Sequence, residues 1–199
     1  GKAGEPLLIE PGGWREALTL ATATLRQTPP RSLLIAGEPL VGKSSFLKLL
    51  ADRVAQDGWR VFEAGGADLM AGQIYIGQLE GRIRTAVEEL DAKHKFIWYI
   101  PDVVQLARSG THQGQSASML EQILPAVADG RLVIWCETTP ASAARLLQLA
   151  PSLRSLLEII AIEPLSADET LPLVRAVVEV LAKMMAVRFH PGCVELAFD

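Results

Sequence analysis

The chain predicts an α/β fold, a doubly wound parallel sheet of five strands with helices on both faces. Three observations carry this. Short apolar runs alternate with segments of helical periodicity along the 199 residues, the pattern of successive strand–helix units. Two of the runs, Phe96-Ile97-Trp98-Tyr99-Ile100 and Leu132-Val133-Ile134-Trp135-Cys136, are apolar without alternation, as strands covered on both faces are. Finally, Gly37-Glu38-Pro39-Leu40-Val41-Gly42-Lys43-Ser44 fits G-x-x-x-x-G-K-[ST] between a strand pattern and a helix pattern. In such a sheet, ligands sit at the carboxyl ends of the strands.

Residues 1–12 read as an irregular lead-in with Pro6, Pro11 and Gly12, whose triplet Leu7-Leu8-Ile9 is expected to pack, as the adenine wall of P-loop proteins does. Trp14 to Gln27 is an amphipathic helix stopped by Pro29-Pro30. The first strand is Leu33-Leu34-Ile35-Ala36, and the helix after the glycine-rich loop begins at Lys43 with apolar residues at Phe46, Leu49, Leu50 and Val54. Asp57-Gly58 turns the chain into a second strand, Trp59 to Phe62. A Gly- and Ala-rich stretch from Ala64 to Gly77 carries Tyr75 between Ile74 and Ile76, and precedes a helix with apolar face Leu79, Ile83, Val87 and Leu90. The third strand, Phe96 to Ile100, ends at Pro101-Asp102, followed by a polar loop through Ser109, Gly110, Thr111 and Gln115. A helix through Met119, Leu120, Ile123, Leu124 and Val127 ends at Gly130. The fourth strand, Leu132 to Cys136, carries Glu137-Thr138-Thr139 at its carboxyl end. Helices at Ala141 to Leu149 and near Pro151 to Leu156, a last strand Glu158 to Ile162, and a long helix Ala167 to Met185 complete the order. Ser166 and Glu169 form the capping box of that long helix.

The glycine-rich loop carries the chemistry. Its backbone N–H groups converge on the α and β phosphates of a nucleotide, and the positive end of the following helix adds to the attraction. Lys43 reaches the β and γ phosphates, and the Ser44 hydroxyl joins a magnesium ion. Gly37, Glu38, Pro39, Leu40, Val41, Gly42, Lys43, Ser44 and Ser45 are therefore the expected contacts for ATP or ADP, with Mg at Ser44.

A net charge of −4 lacks the basic footprint of a nucleic-acid binder. Cys136 and Cys193 are the only cysteines, which argues against a disulfide framework or a metal site and for a reducing, cytoplasmic setting. No apolar run approaches the roughly 20 residues of a membrane span. Neither nucleic acid nor membrane is expected as a partner. The histidines share no ligand spacing and read as solvated residues in loops or at element ends.

Several blocks in order resemble one family, the first ATPase module of the Clp-type AAA+ unfoldases and disaggregases. Residues 37–43 are close to the family's G-E-P-G-V-G-K, and Leu69 to Arg82 resembles its L-V-A-G-x-x-Y-R-G-x-F-E-x-R block. LEQILPAVADGRL at 120–132 is similar to the family's N-L-L-K-P-A-L-A-R-G-E-L, Thr138-Thr139 falls at its A-T-T, and Glu163-Pro164 with Glu169-Thr170 falls at its E-P-s-x-x-D-T. The resemblance implies an AAA+ P-loop NTPase fold with the large α/β subdomain at 1–164 and the start of a helical lid at 165–199. It implies that Thr138 senses the γ-phosphate, although the same residue could instead cap the next helix. Tyr75 falls on the pore-loop aromatic that grips substrate, although it could instead pack on the sheet edge. Ring neighbours of the same kind and a polypeptide substrate are the implied partners.

The departures bear on hydrolysis. Where the family's third strand ends in Asp-Glu, this chain has Pro101 and Asp102, so the magnesium shell is expected to lose its aspartate and Asp102 is the one candidate base, a methylene shorter than glutamate. A frame shifted by one residue gives Asp102 to the metal and leaves Val103 in the base position. Ser155 and Leu156 stand where the family carries the arginines it lends to a neighbour, and Arg154 comes one residue early. Leu40 replaces a loop glycine, and the family's glycine–arginine pair in the lead-in has no counterpart. The sequence therefore supports a nucleotide-binding, hydrolysis-poor structural or regulatory tier of a ring. The competing readings are a working motor with Asp102 as base, and a scaffold that no longer binds nucleotide.

Overall fold

The computed structural model describes residues 8–70, 76–91, 94–108, 118–190 and 192–197. Five strands form one parallel sheet: β1 (Ser32–Ala36), β2 (Arg60–Glu63), β3 (Phe96–Ile100), β4 (Val133–Thr138) and β5 (Leu157–Ala161). Their spatial order is β2-β3-β4-β1-β5, so the chain crosses over the sheet and returns to place β1 between β4 and β5. All five residues of β1 are buried, as its apolar composition requires of a strand covered on both faces.

The helices divide between the faces. On one side lie a 3₁₀ turn at Gly12–Trp14, α1 (Arg15–Thr24) and α2 (Lys43–Ala55), which bury Trp14, Leu18, Phe46 and Leu50 against Leu33, Ile35, Ile97 and Trp135. The other side holds α4 (Ile76–Glu89), α5 (Val103–Arg108), α6 (Met119–Ala128) and α7 (Pro140–Leu149), after the short α3 (Gly66–Met70). That layer buries Ile83, Leu106, Met119, Ile123 and Leu146 against Leu34, Trp98, Ile134 and Cys136. Alternate residues of each central strand thus feed alternate cores, which is the strand's period of two read out on both faces.

Three details differ from the expectation. The first helix stops at Thr24 rather than Gln27, because the Arg31 N–H takes the Thr24 carbonyl at 3.0 Å as the chain turns into β1. Two short helices, α3 and α5, stand where irregular chain was expected; each is too brief to show a helical period. Strand β4 runs to Thr138 rather than Cys136, so Glu137 and Thr138 belong to the strand itself.

A one-turn helix α8 (Leu153–Leu156) precedes β5, and α9 (Ala167–Met185) follows it with the expected capping box at Ser166 and Glu169. No residue of α9 is fully buried, and Met184 and Met185 are exposed. The short α10 (Cys193–Leu196) packs on α9, where Arg175 pairs with Glu195. No helix of the described residues is long and apolar enough to cross a membrane.

Candidate nucleotide and magnesium site

The glycine-rich loop leaves the carboxyl end of β1 and enters α2 at Lys43. Its start is tied to the sheet by the Gly37 N–H donating to the Thr138 carbonyl at 3.1 Å. Gly42 caps α2 with φ +99°, a conformation closed to most L side chains, and it has no room for one: a Cβ there would stand 2.8 Å from the Trp14 ring. Leu40 also has positive φ, +69°, with its side chain fully exposed. The turn that a glycine would make freely is thus kept by a leucine, at a cost of about 1–2 kcal/mol. Lys43 folds back over the loop and donates from Nζ to the Glu38 carbonyl at 2.8 Å.

The Ser44 hydroxyl meets a carboxylate. It lies 3.1 Å from both Oε1 and Oε2 of Glu137. The sheet register explains this, since Glu137 pairs with Ile35 on β1 and shares its face with Trp135, the face that α2 covers. Tyr99 on β3 also packs on that face. Burial first, and then the charge and hydrogen bonding of Glu137, push its phenol well above the usual tyrosine range. In the sequence Glu137 stands out only as part of a strand end. The signal that could have found it is its two-residue spacing from Trp135.

Cys136 and Thr138 take the opposite face. There Thr138 and Asp102 line one cavity of about 400 Å³ together with Val104, Gln105, Arg108 and Ser142. The structure therefore brings the expected sensor and the expected base together. Asp102 is also engaged in the fold, because its Oδ1 accepts from the Gln105 N–H at 2.9 Å and caps α5. Capping of α7 falls to Thr139, whose Oγ1 accepts from the Ser142 N–H at 3.2 Å, and not to Thr138. Arg154 lies exposed on α8, with no ion pair among the described residues. Tyr75 lies outside the described residues.

Beside the loop, Gly13, Trp14, Ile162, Pro164 and Glu169 border a cavity of about 270 Å³. The Trp14 Nε1 is buried without a hydrogen-bond partner among the described residues. A larger cavity, about 850 Å³, opens near Phe62, Leu69 and Arg82 at the β2 edge, where the β2-β3-β4-β1-β5 order sets it away from the loop. No cluster of three or more His, Cys, Asp or Glu suited to a metal occurs among the described residues. Magnesium carried by a nucleotide needs none, because it keeps several waters and takes one or two protein oxygens besides phosphate. Ser44 with Glu137 fits that demand.

The family model for the ATPase family associated with various cellular activities (AAA) matches residues 33–163, from β1 to the end of β5. The chain belongs to the AAA family. Among known proteins, this AAA module is 26% identical over 84% of its length to the chloroplastic chaperone protein ClpC1 of Oryza sativa subsp. japonica, covering 19% of that protein. It is 23% identical over 94% of its length to the chaperone protein ClpB of Aquifex aeolicus, again covering 19% of it. The module thus spans about a fifth of these relatives. Its fold is that of the Saccharomyces cerevisiae Hsp104 chain in an extended casein complex, with a TM-score of 0.76 at 22% identity, covering 91% of this chain and 32% of that one. The S. cerevisiae Hsp104–ADP complex gives 0.73 at 22% identity, covering 94% of this chain and 26% of that one. The AAA module is thus similar in sequence to Clp-type chaperones.

Proposed function

We propose that this AAA module binds ATP or ADP with magnesium as a structural and regulatory tier of a Clp-like ring, and hydrolyses ATP poorly. The observation that carries the reading is the contrast between the two faces of the sheet edge. On the α2 face the loop has its left-handed Gly42, its Lys43 and a Ser44 hydroxyl backed by Glu137. On the other face the one candidate base, Asp102, is engaged as a helix cap.

Incoming phosphate oxygens would draw the Lys43 ammonium off the Glu38 carbonyl, exchanging a neutral acceptor for charged ones and a stronger hydrogen bond. Bound magnesium supplies neutralisation of the phosphate charge. The N-terminus of α2 faces the same charge. Asp102 holds the Gln105 N–H on Oδ1, so as a base it would act through Oδ2 while tied to the α5 cap. A ring neighbour lends no arginine from positions 155 and 156, and such a cation is worth about 10³–10⁵ in rate. Tyr75 is proposed to face the ring's pore and touch polypeptide, by analogy with the family block in which it stands.

Steady-state ATP turnover by the assembled full-length protein tests this, with Lys43→Ala and Asp102→Asn as variants. The reading expects little turnover and little change on Asp102→Asn. A fall of about 10-fold or more, the scale of a lost general base, would favour the second reading, an active unfoldase motor. That reading is supported by Asp102 and Thr138 lining one cavity.

A further inference from the structure

Glu137 stands where a carboxylate has an effect on nucleotide binding whose sign depends on metal. The Ser44 hydroxyl approaches both of its oxygens at 3.1 Å, at the mouth of a loop built to receive phosphate. A carboxylate beside a bare polyphosphate repels it; a divalent cation between them is attracted to both. The neighbouring strand β3 offers no carboxylate. The β3–β4 register pairs Ile100 with Cys136, and the residue that follows the end of β3 is Pro101, which has no side-chain oxygen.

Other features of the edge suit the same role. A serine that gives an oxygen lone pair to an ion must send its proton elsewhere, and Glu137 is the acceptor already in place. Groups that hold a metal ligand in this way set its orientation and affinity. Glu137 is half-buried, and its strand β4 pairs with β1, the strand that leads into the loop.

We infer that Glu137 on β4 is the carboxylate that positions the Ser44 hydroxyl and the water shell of a nucleotide-bound magnesium ion, in place of the acid that β3 lacks. This rests on the nucleotide-binding reading above. Glu137 is a positioning residue, acting through Ser44 and water.

The test is calorimetric titration of the protein with ADP, once in excess MgCl₂ and once in EDTA, for the wild type, Glu137→Gln and Glu137→Asp. The wild type should bind more tightly with magnesium. Glu137→Gln should lose about 10-fold or more of that magnesium enhancement, the scale seen when groups behind a metal ligand are removed, yet bind ADP in EDTA as tightly as the wild type or more tightly. Glu137→Asp, which keeps the charge, should recover part of the enhancement. Mn²⁺ in place of Mg²⁺, followed by electron paramagnetic resonance, should show weaker ion retention on ADP-bound Glu137→Gln. An undiminished enhancement in Glu137→Gln would overturn the inference. Equal losses in both buffers would also overturn it, because they would mark Glu137 as a tether of the fold. A wild type that binds no ADP in either buffer would overturn the nucleotide-binding reading together with the inference, which separates the two failures.

Discussion

Trp14 and Gly42 touch. The indole ahead of α1 lies over the left-handed residue that caps α2, and a Cβ on residue 42 would stand 2.8 Å from the ring. Gly42→Ala therefore meets two penalties, the φ of +99° and the ring, and should lower stability by about 1–3 kcal/mol. Trp14→Ala removes the ring penalty alone. Denaturant unfolding of both single variants and the double should give a coupling of about 0.5 kcal/mol or more, and strict additivity would contradict the contact.

Leu40 holds a positive φ while its side chain is fully exposed, so little packing is at stake there. Leu40→Gly removes the left-handed strain and returns part of the gain as chain entropy in the unfolded state. A net stabilisation of about 0.5–1 kcal/mol should raise Tm by about 1–4 °C, while Leu40→Ala should leave it unchanged. Calorimetric melting checks this, and a lower Tm for Leu40→Gly would count against it.

The chain has two tyrosines, Tyr75 and Tyr99. In a Tyr75→Phe background the remaining phenol should resist ionisation until well above pH 10 by ultraviolet titration, because burial and then Glu137 oppose its charge. A folded-state pKa above the unfolded one means that Tyr99 contributes stability below the ordinary tyrosine pKa and loses it as pH rises beyond. Adding Glu137→Gln should lower the titration midpoint only in part, since burial remains. An unmoved midpoint would show that the phenol does not sense Glu137.

Ser166 and Glu169 cap α9, and the Ser166 backbone and hydroxyl hold the Glu169 carboxyl below its usual range. A lowered pKa means that the contribution is complete above the ordinary glutamate range and lost as pH falls through the folded value. Ser166→Ala should cost about 1 kcal/mol, and the difference from the wild type should shrink in acid. Thermal unfolding near pH 7 and near pH 3 checks both; a difference independent of pH would argue against the carboxylate's part.

Local signals carried much of this into the sequence. The glycine-rich loop, the strand β3 and the capping box of α9 were legible because each depends on neighbours a few residues away. Glu137 was not, since its meaning comes from the register that sets it opposite Ile35 and beside the start of α2, 93 residues away in the Ser44 contact. Pro101 follows β3 without a carboxylate, and the carboxylate found at Ser44 comes from the next strand, β4. Asp102 was legible as a candidate base, but its bond to Gln105 required α5, a helix of six residues with too little length to declare a period. Trp14 read as the start of a helix; its contact with Gly42 joins segments that only folding brings together.

In the proposed function this module keeps ATP without splitting it. The direct measurement is to load the assembled protein with MgATP, remove free nucleotide, and determine by chromatography what remains bound after several minutes. The account predicts that most of it is ATP. Recovery as ADP within seconds, slowed about 10-fold or more in Asp102→Asn, would contradict it.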